Sequence, residues 1–184
     1  MTSLVAFTGL AGSGKSTACQ ALLDEGWIRV KFADGLKNML RAFYRSCGIE
    51  DSAYIEARIE GDMKEEPCPF LRGRTPRHAM QTLGTEWGRD CISPDLWVQA
   101  WRQRVGTLLS DGVPVVTDDC RFVNEADAVR RLGGRIVRVE RPGLSTGAHA
   151  SEAMAFEPDM VIHNDKTIEQ FQHAIVYVFD RTEF

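Results

Sequence analysis

Eight residues near the amino terminus, Gly9-Leu10-Ala11-Gly12-Ser13-Gly14-Lys15-Ser16, have the types and spacing that grip a phosphate group. The pattern is Gly, any four residues, Gly-Lys, then Ser or Thr, and every fixed position is met. Gly9, Gly12 and Gly14 let the main chain curl so that successive N–H groups converge on one anion. Lys15 supplies a flexible cation for the outer phosphates, and the Ser16 hydroxyl can ligate Mg²⁺. A helix opening at Lys15 adds the positive end of its dipole. Gly12, Ser13, Gly14, Lys15, Ser16 and Thr17 are therefore the expected cradle for a phosphorylated cofactor, with Ser16 as a metal ligand.

A second group of chemistry-bearing residues follows the apolar run Val113–Thr117. A phosphate-loop enzyme places the carboxylate that holds Mg²⁺, or its water, at such a strand end. Asp118 and Asp119 both qualify, because period-two alternation does not decide which one faces the ligand. Arg121 can bind a phosphate through two parallel hydrogen bonds. Glu125 can orient that arginine, accept from a base or sugar, or simply open a helix. Arg72, Arg74, Arg77 and His78 lie just before and within a helix start, either as an anion site or as a basic surface patch. Trp97 and Trp101 are one helical turn apart, a spacing more typical of core than of a stacking platform. His149 reads as a solvated loop side chain.

These residues must be positioned by elements that the sequence also announces. Leu4-Val5-Ala6-Phe7 reads as a buried strand, Trp27–Phe32 as a second, Val113–Thr117 as a third, Arg135–Glu140 as a fourth and Met160–His163 as a fifth. Helical patterns lie between them. The first carries Ala18, Ala21, Leu22 and Leu23 and stops at Gly26; the next begins near Leu36 with Leu36, Met39, Leu40 and Phe43 as its apolar stripe and closes near Gly48. Residues 49–74 are irregular, with a short helix over 52–60. Thr75-Pro76 then starts a helix that should bury Ala79, Met80, Leu83 and Trp87. Ser93-Pro94 starts another, with Trp97, Trp101, Val105 and Leu108 on one face. Asn124 can cap a helix ending at Gly133-Gly134. Thr167 and Gln170 form a capping box for a last helix burying Ile168, Phe171, Ile175 and Val178. Alternating strands and helices predict an α/β fold, with a five-stranded parallel sheet covered on both faces. Ligands of such sheets sit at the carboxyl ends of the strands, where the loops carry Lys15, Asp34, Lys37, Asp119, Arg121 and Arg141.

The chain has 184 residues, 43% of them apolar and 26% charged, which suits one soluble domain with an inserted lobe. Its net charge of −4 argues against non-specific binding to a nucleic-acid polymer. The five cysteines are scattered with no C-x-x-C pair, so a zinc site has little support and reduced thiols in a cytoplasm are expected. No signal-like start and no apolar run long enough to span a membrane is seen, so no membrane partner is expected.

Several blocks, taken in order, resemble the deoxynucleoside monophosphate kinases of tailed bacteriophages. They are Phe32-Ala33-Asp34-Gly35-Leu36-Lys37, Thr75-Pro76-Arg77, Gln81-Thr82-Leu83-Gly84-Thr85-Glu86-Trp87-Gly88-Arg89, Asp95-Leu96-Trp97-Val98, Asp118-Asp119-Cys120-Arg121-Phe122-Val123-Asn124-Glu125-Ala126 and His149-Ala150-Ser151-Glu152. The stretch from Arg77 to Trp97 is the specific part. The resemblance implies a three-layer phosphate-loop kinase fold and transfer of the γ-phosphoryl group of ATP, with Mg²⁺, to a deoxynucleoside 5′-monophosphate. It implies one kinase domain over 1–184, a helical acceptor-binding excursion over 49–110 and a lid-like loop over 141–158. It places Lys37, Arg77, Gln81, Gly84, Thr85, Trp97, Asp119, Arg121 and Glu125 around the acceptor. Lys15, Asp119, Arg121 and Arg141 would be the catalytic set, with Ser16 and Asp118 on the metal. A homodimer in the cytoplasm, of the host if the chain is phage-encoded, completes that expectation.

Overall fold

Strand β1 (Leu4–Thr8) has all five residues buried, as a strand covered on both faces must. It lies at the centre of a five-stranded sheet of order β2-β3-β1-β4-β5, every neighbouring pair parallel. The other strands are β2 (Ile28–Arg29), β3 (Val115–Thr117), β4 (Arg135–Glu140) and β5 (Met160–His163). The computed structural model describes residues 3–144 and 155–181. The helices are α1 (Lys15–Asp24), α2 (Asp34–Ser46), α3 (Ser52–Ile59), α4 (Pro76–Thr82), α5 (Leu96–Ser110), α6 (Val123–Arg131) and α7 (Ile168–Arg181). Between α4 and α5 runs a π-helical segment, Leu83–Ile92. The chain divides into two compact units, Met1–Phe32 with Trp101–Phe184, and Ala33–Ala100.

In the first unit, strand alternation decides which helix covers which face. Val5 and Phe7 point to one side of β1, where α1 and α7 bring Ala18, Cys19, Leu22, Phe171, Ile175 and Phe179 into one buried cluster. Leu4 and Ala6 point to the other, the side of Ala126 and Val129 of α6, and all four are buried. Burying a Leu, Val or Phe side chain of this kind contributes about 1.5–3 kcal/mol each. The register Val5↔Val116 and Phe7↔Val137 stacks like residues across the sheet. In the second unit, Leu40 and Tyr44 of α2 meet Ile55 and Ile59 of α3 and Cys68 in a separate core. Burial pushes the Tyr44 hydroxyl well above its usual range, so it stays a neutral donor to Cys68 Sγ, 3.6 Å away.

Four local expectations need correction. β2 is two residues long, not six: Val30 N–H still bonds Val116 O at 3.0 Å, but Phe32 N–H turns to the Asp119 carboxylate, also at 3.0 Å, and the ladder ends. α2 starts at Asp34, and Met39 and Phe43 are 41% and 40% exposed, because its buried face is rotated toward Leu40 and Tyr44. The stripe expected after Pro76 is only partly kept: Ala79 and Met80 pack half-buried against the Leu40–Tyr44 core, but α4 then gives way to the wider π-helical turns, which bury Gly84 and Gly88 and leave Trp87 40% exposed. In α7 the buried residues are Phe171, Ile175 and Phe179, whereas Ile168 in the first turn is 63% exposed. The Thr75 cap of His78 N–H and the Thr167–Gln170 capping box are present as expected.

The cysteines give a direct test of this core. Cys19, Cys68 and Cys120 are buried, and Cys47 and Cys91 are exposed. Burial, then the nearby Asp118 carboxylate, pushes the Cys19 thiol up to about 12, and burial raises Cys120 as well. A thiol whose pKa is raised stays protonated and unreactive below it. Iodoacetamide at pH 8 should therefore label Cys47 and Cys91 in the native protein and spare the other three until denaturant is added. Peptide mass spectrometry reads the sites directly, and equal labelling of Cys19 would contradict the packing of α1.

Candidate active site

The phosphate loop sits at the carboxyl end of β1 and runs into α1, as the sequence pattern requires. Gly14 is the residue preceding the helix, in the left-handed region with φ of 109°. Lys15 Nζ donates to the carbonyls of Gly9 and Leu10 at 2.8 and 2.7 Å, so the ammonium is held within the loop that it serves. Ser13 is buried and, among the described residues, its hydroxyl oxygen has no hydrogen-bond partner. A buried hydroxyl without a partner costs free energy, and a phosphate oxygen at the loop would relieve it. Gly12 and Ser16 are exposed and Thr17 is half-buried.

Thr117 at the end of β3 leads into the two aspartates, and their surroundings differ. Asp119 Oδ1 accepts from Phe32 N–H at 3.0 Å and from the Thr117 hydroxyl at 3.1 Å. Asp118 is 8% exposed; its Oδ2 lies 3.7 Å from the Arg29 guanidinium, and its buried Oδ1 has no hydrogen-bond donor among the described residues. Its charge reaches Cys19, one turn along α1 from Ser16. An orphaned carboxylate oxygen and a serine hydroxyl are the hard oxygen donors that Mg²⁺ prefers, and Mg²⁺ usually takes only one or two protein ligands. The residues present therefore fit that ion. Among the described residues no group of three or more His, Cys, Asp or Glu could hold a metal by itself.

Glu125 holds the turn that carries Arg121. It is 2% exposed, and its Oε2 accepts from the backbone N–H groups of Arg121 and Phe122 at 2.8 and 3.1 Å. This corrects the capping expectation: α6 starts at Val123, so Asn124 lies inside the helix and Glu125 does the capping. Arg121 itself is exposed, as is Arg141 at the end of β4. The phosphate loop, the aspartates with Arg121, and Arg141 thus follow β1, β3 and β4, three adjacent strands of the sheet. Of the expected lid, residues 145–154, with His149, lie outside the described residues.

The second unit carries the other expected residues. Lys37 Nζ bonds Glu60 Oε1 at 2.7 Å, and next to it Arg41 grips Glu56 through two parallel bonds of 2.7 and 2.8 Å. That fork holds the Glu56 carboxyl below its usual range. Arg77 pairs with Glu65. Both expected acceptor cations of this unit therefore rest on glutamates, which sequence reading did not foresee. Gln81 and Thr85 are exposed, and Gly84 and Trp97 are buried. The Trp97 indole N–H donates to Gly84 O at 2.8 Å and ties the π-helical segment to α5. Arg72, Arg74 and His78 are exposed, Arg72 with a left-handed φ of 56°.

One residue escaped the sequence reading. Asn164, directly after β5, sends its carboxamide to the Ser13 carbonyl. Its signal in the sequence, a polar residue just past the carboxyl end of a strand, is shared by many loop residues.

Comparison with known proteins gives the chain a family and its fold. Residues 74–175 match the model of a family described as deoxynucleotide monophosphate kinase. A protein of Acanthamoeba polyphaga mimivirus, provisionally named a deoxynucleotide monophosphate kinase, is 33% identical over 193 aligned positions, covering 96% of each chain. Among solved structures, dephospho-CoA kinase from Campylobacter jejuni is similar at 14% identity and a TM-score of 0.53, covering 98% of this chain and 96% of that one. An APS kinase from Mycobacterium tuberculosis, in complex with AMPPNP and APS, is similar at 15% identity and a TM-score of 0.51, covering 96% of each chain. These two likenesses concern the fold.

Proposed function

We propose, since the chain belongs to the deoxynucleotide monophosphate kinase family, that it transfers the γ-phosphoryl group of ATP to a deoxynucleoside 5′-monophosphate, giving ADP and the deoxynucleoside diphosphate. The observation that carries this reading is the intact phosphate loop at the carboxyl end of the central strand, with the aspartates and Arg121 after the neighbouring strand. Phosphoryl transfer asks little covalent chemistry of a protein; it asks that two anions be held in line and their charge be offset. The acceptor phosphate is mostly a dianion at neutral pH, its second pKa being about 6, so it attacks without a general base. Cations matter more than bases here.

The amides of Gly12, Ser13, Gly14, Lys15, Ser16 and Thr17 would hold the β- and γ-phosphates of the donor. Lys15 would exchange two neutral carbonyl partners for a phosphate, a stronger partner for an ammonium. Ser16 and Asp118 would hold Mg²⁺, which when bound neutralises charge on the donor phosphates. Lys37, Arg77 and Arg121 would bind the acceptor phosphate, the first two by leaving Glu60 and Glu65. Gln81, Gly84, Thr85, Trp97, Asp119 and Glu125 complete the acceptor residues, Glu125 by fixing the turn that bears Arg121. Arg141 would meet the transferring phosphoryl. A cytoplasmic homodimer acting on small molecules, without a nucleic-acid polymer or membrane partner, fits this role. Among the described residues, no helix is long and apolar enough to cross a membrane.

A coupled ADP-release assay over dAMP, dGMP, dCMP, dTMP and their ribose counterparts tests the proposal. ADP should form in equal amount to diphosphate with one or more of the deoxynucleotides. ADP release that is indifferent to every acceptor would replace this reading with an ATPase.

A further inference from the structure

We infer that Asn164 is a positioning residue for the donor phosphates, acting through the peptide between Ser13 and Gly14; the inference rests on the reading that the phosphate loop binds the donor. Asn164 is itself held in place. Its backbone N–H donates to Glu140 O at 2.7 Å, continuing the pairing of β4 with β5 by one residue. Its half-buried side chain then reaches across 151 positions of sequence, and Nδ2 donates to Ser13 O at 2.9 Å.

The chemistry follows from the planarity of the peptide. In a trans peptide the C=O of one residue and the N–H of the next point in opposite directions. Holding the Ser13 carbonyl toward Asn164 therefore aims the Gly14 N–H the other way, away from β5. A loop that binds phosphate needs its amides aimed at one point. The peptide has reason to wander without this tether, because a glycine follows it and glycine accepts either sign of φ. The tether in turn requires that glycine: a Cβ on Gly14 would lie 2.3 Å from Asn164 Nδ2 and 3.5 Å from Phe171 Cε1. Gly14 is thus a glycine for two reasons, its φ of 109° and the carboxamide packed against it.

Asn164→Ala removes the tether. Asn164→Asp keeps the shape but replaces the donor with a carboxylate that repels the Ser13 carbonyl. Asn164→Ser, which leaves a polar group out of reach, serves if either variant fails to fold. The probes are ATP, ADP and tripolyphosphate, the last of which touches only the phosphate site. Dissociation constants for all three should rise about tenfold or more in Asn164→Ala, the size of one lost preorganised hydrogen bond to a charged ligand, and further in Asn164→Asp. The KM for the acceptor should stay within twofold. A merely structural role would shift thermal stability and both substrates together. The inference is overturned if tripolyphosphate binds the folded variants within twofold of wild type, or if acceptor KM rises in step with the donor constants. Wild-type protein that binds acceptor but neither ATP nor tripolyphosphate would mark failure of the donor-site reading instead, and this inference would fall with it.

Discussion

Lys15→Ala should lower the rate of phosphoryl transfer by about 10²-fold or more, as loss of a preorganised charge partner at a reacting phosphate does, while leaving the fold intact. The two parts of that expectation have separate grounds. The ammonium bonds main-chain carbonyls of its own loop, Gly9 O and Leu10 O. Truncation frees two partly solvated acceptors that water can satisfy, a change of about 1 kcal/mol or less in stability. The chemical cost is larger because Lys15 is the loop's own charge: Arg121 and Arg141 follow other strands, and the amides of the loop are neutral. On the proposed reading the loss should fall more on kcat than on ATP affinity, since the amides and Mg²⁺ would still hold the ground state and the lysine would meet charge that grows on the outer phosphates. Steady-state kinetics, ATP titration calorimetry and a thermal melt separate the terms. Turnover near wild type with a normal melt would remove Lys15 from the catalytic set.

The parts of the molecule that were legible in the sequence share one property: their physics is local. Val113–Thr117 reads as a strand because parallel strands covered on both faces must be apolar runs bounded by turns, and β3 takes its last three residues. The phosphate loop is a contiguous motif, and the Thr75-Pro76 start and the Thr167–Gln170 box are hydrogen bonds within one turn of chain. The illegible parts depend on distant partners. Nothing near Phe32 announces that its N–H will leave the ladder for Asp119, 87 residues away. The burial of α2 turns toward Leu40 and Tyr44 because α3 packs there and offers Glu56 and Glu60 to Arg41 and Lys37. In the sequence Glu125 could orient Arg121, accept from a base or sugar, or simply open a helix. Its carboxylate accepts the Arg121 and Phe122 N–H groups at the start of α6, which depends on how the turn before the helix folds back on it. The α-to-π transition after Thr82 was invisible for a similar reason: the segment's Gly84 carbonyl is tied to Trp97, on the next helix.

That tryptophan supports the prediction with the largest structural effect. Gly88→Ala should destabilise the Ala33–Ala100 unit by about 2–5 kcal/mol, the sum of overpacking a filled core and losing a buried hydrogen bond. An added Cβ would lie 2.6–2.7 Å from Cζ2, Nε1 and Cε2 of the Trp97 indole, closer than real side chains approach. The ring has little freedom to yield. It is 4% exposed, and its opposite edge is already taken: a Cβ on Gly35 would lie 3.1–3.2 Å from Cε3 and Cζ3. Moving the indole away from Gly88 thus drives it toward α2 and lengthens its 2.8 Å bond to Gly84 O. Trp97→Phe removes the second component together with part of the ring's buried volume. It relieves no crowding at the ring edge facing Gly35 but removes the N–H, and should cost about 1–3 kcal/mol by leaving the Gly84 carbonyl short of a donor. Amide exchange over 83–97 is the fitting measurement, because two compact units need not unfold as one. Protection there should collapse in Gly88→Ala while β1 and β4 keep theirs. If the acceptor lies on Gly84, Thr85 and Trp97, its KM should rise in the same variant with ATP affinity unchanged. Wild-type protection over 83–97 in Gly88→Ala would mean that the indole can tilt without cost. The close seat between two glycines would then be incidental to how the acceptor residues are held.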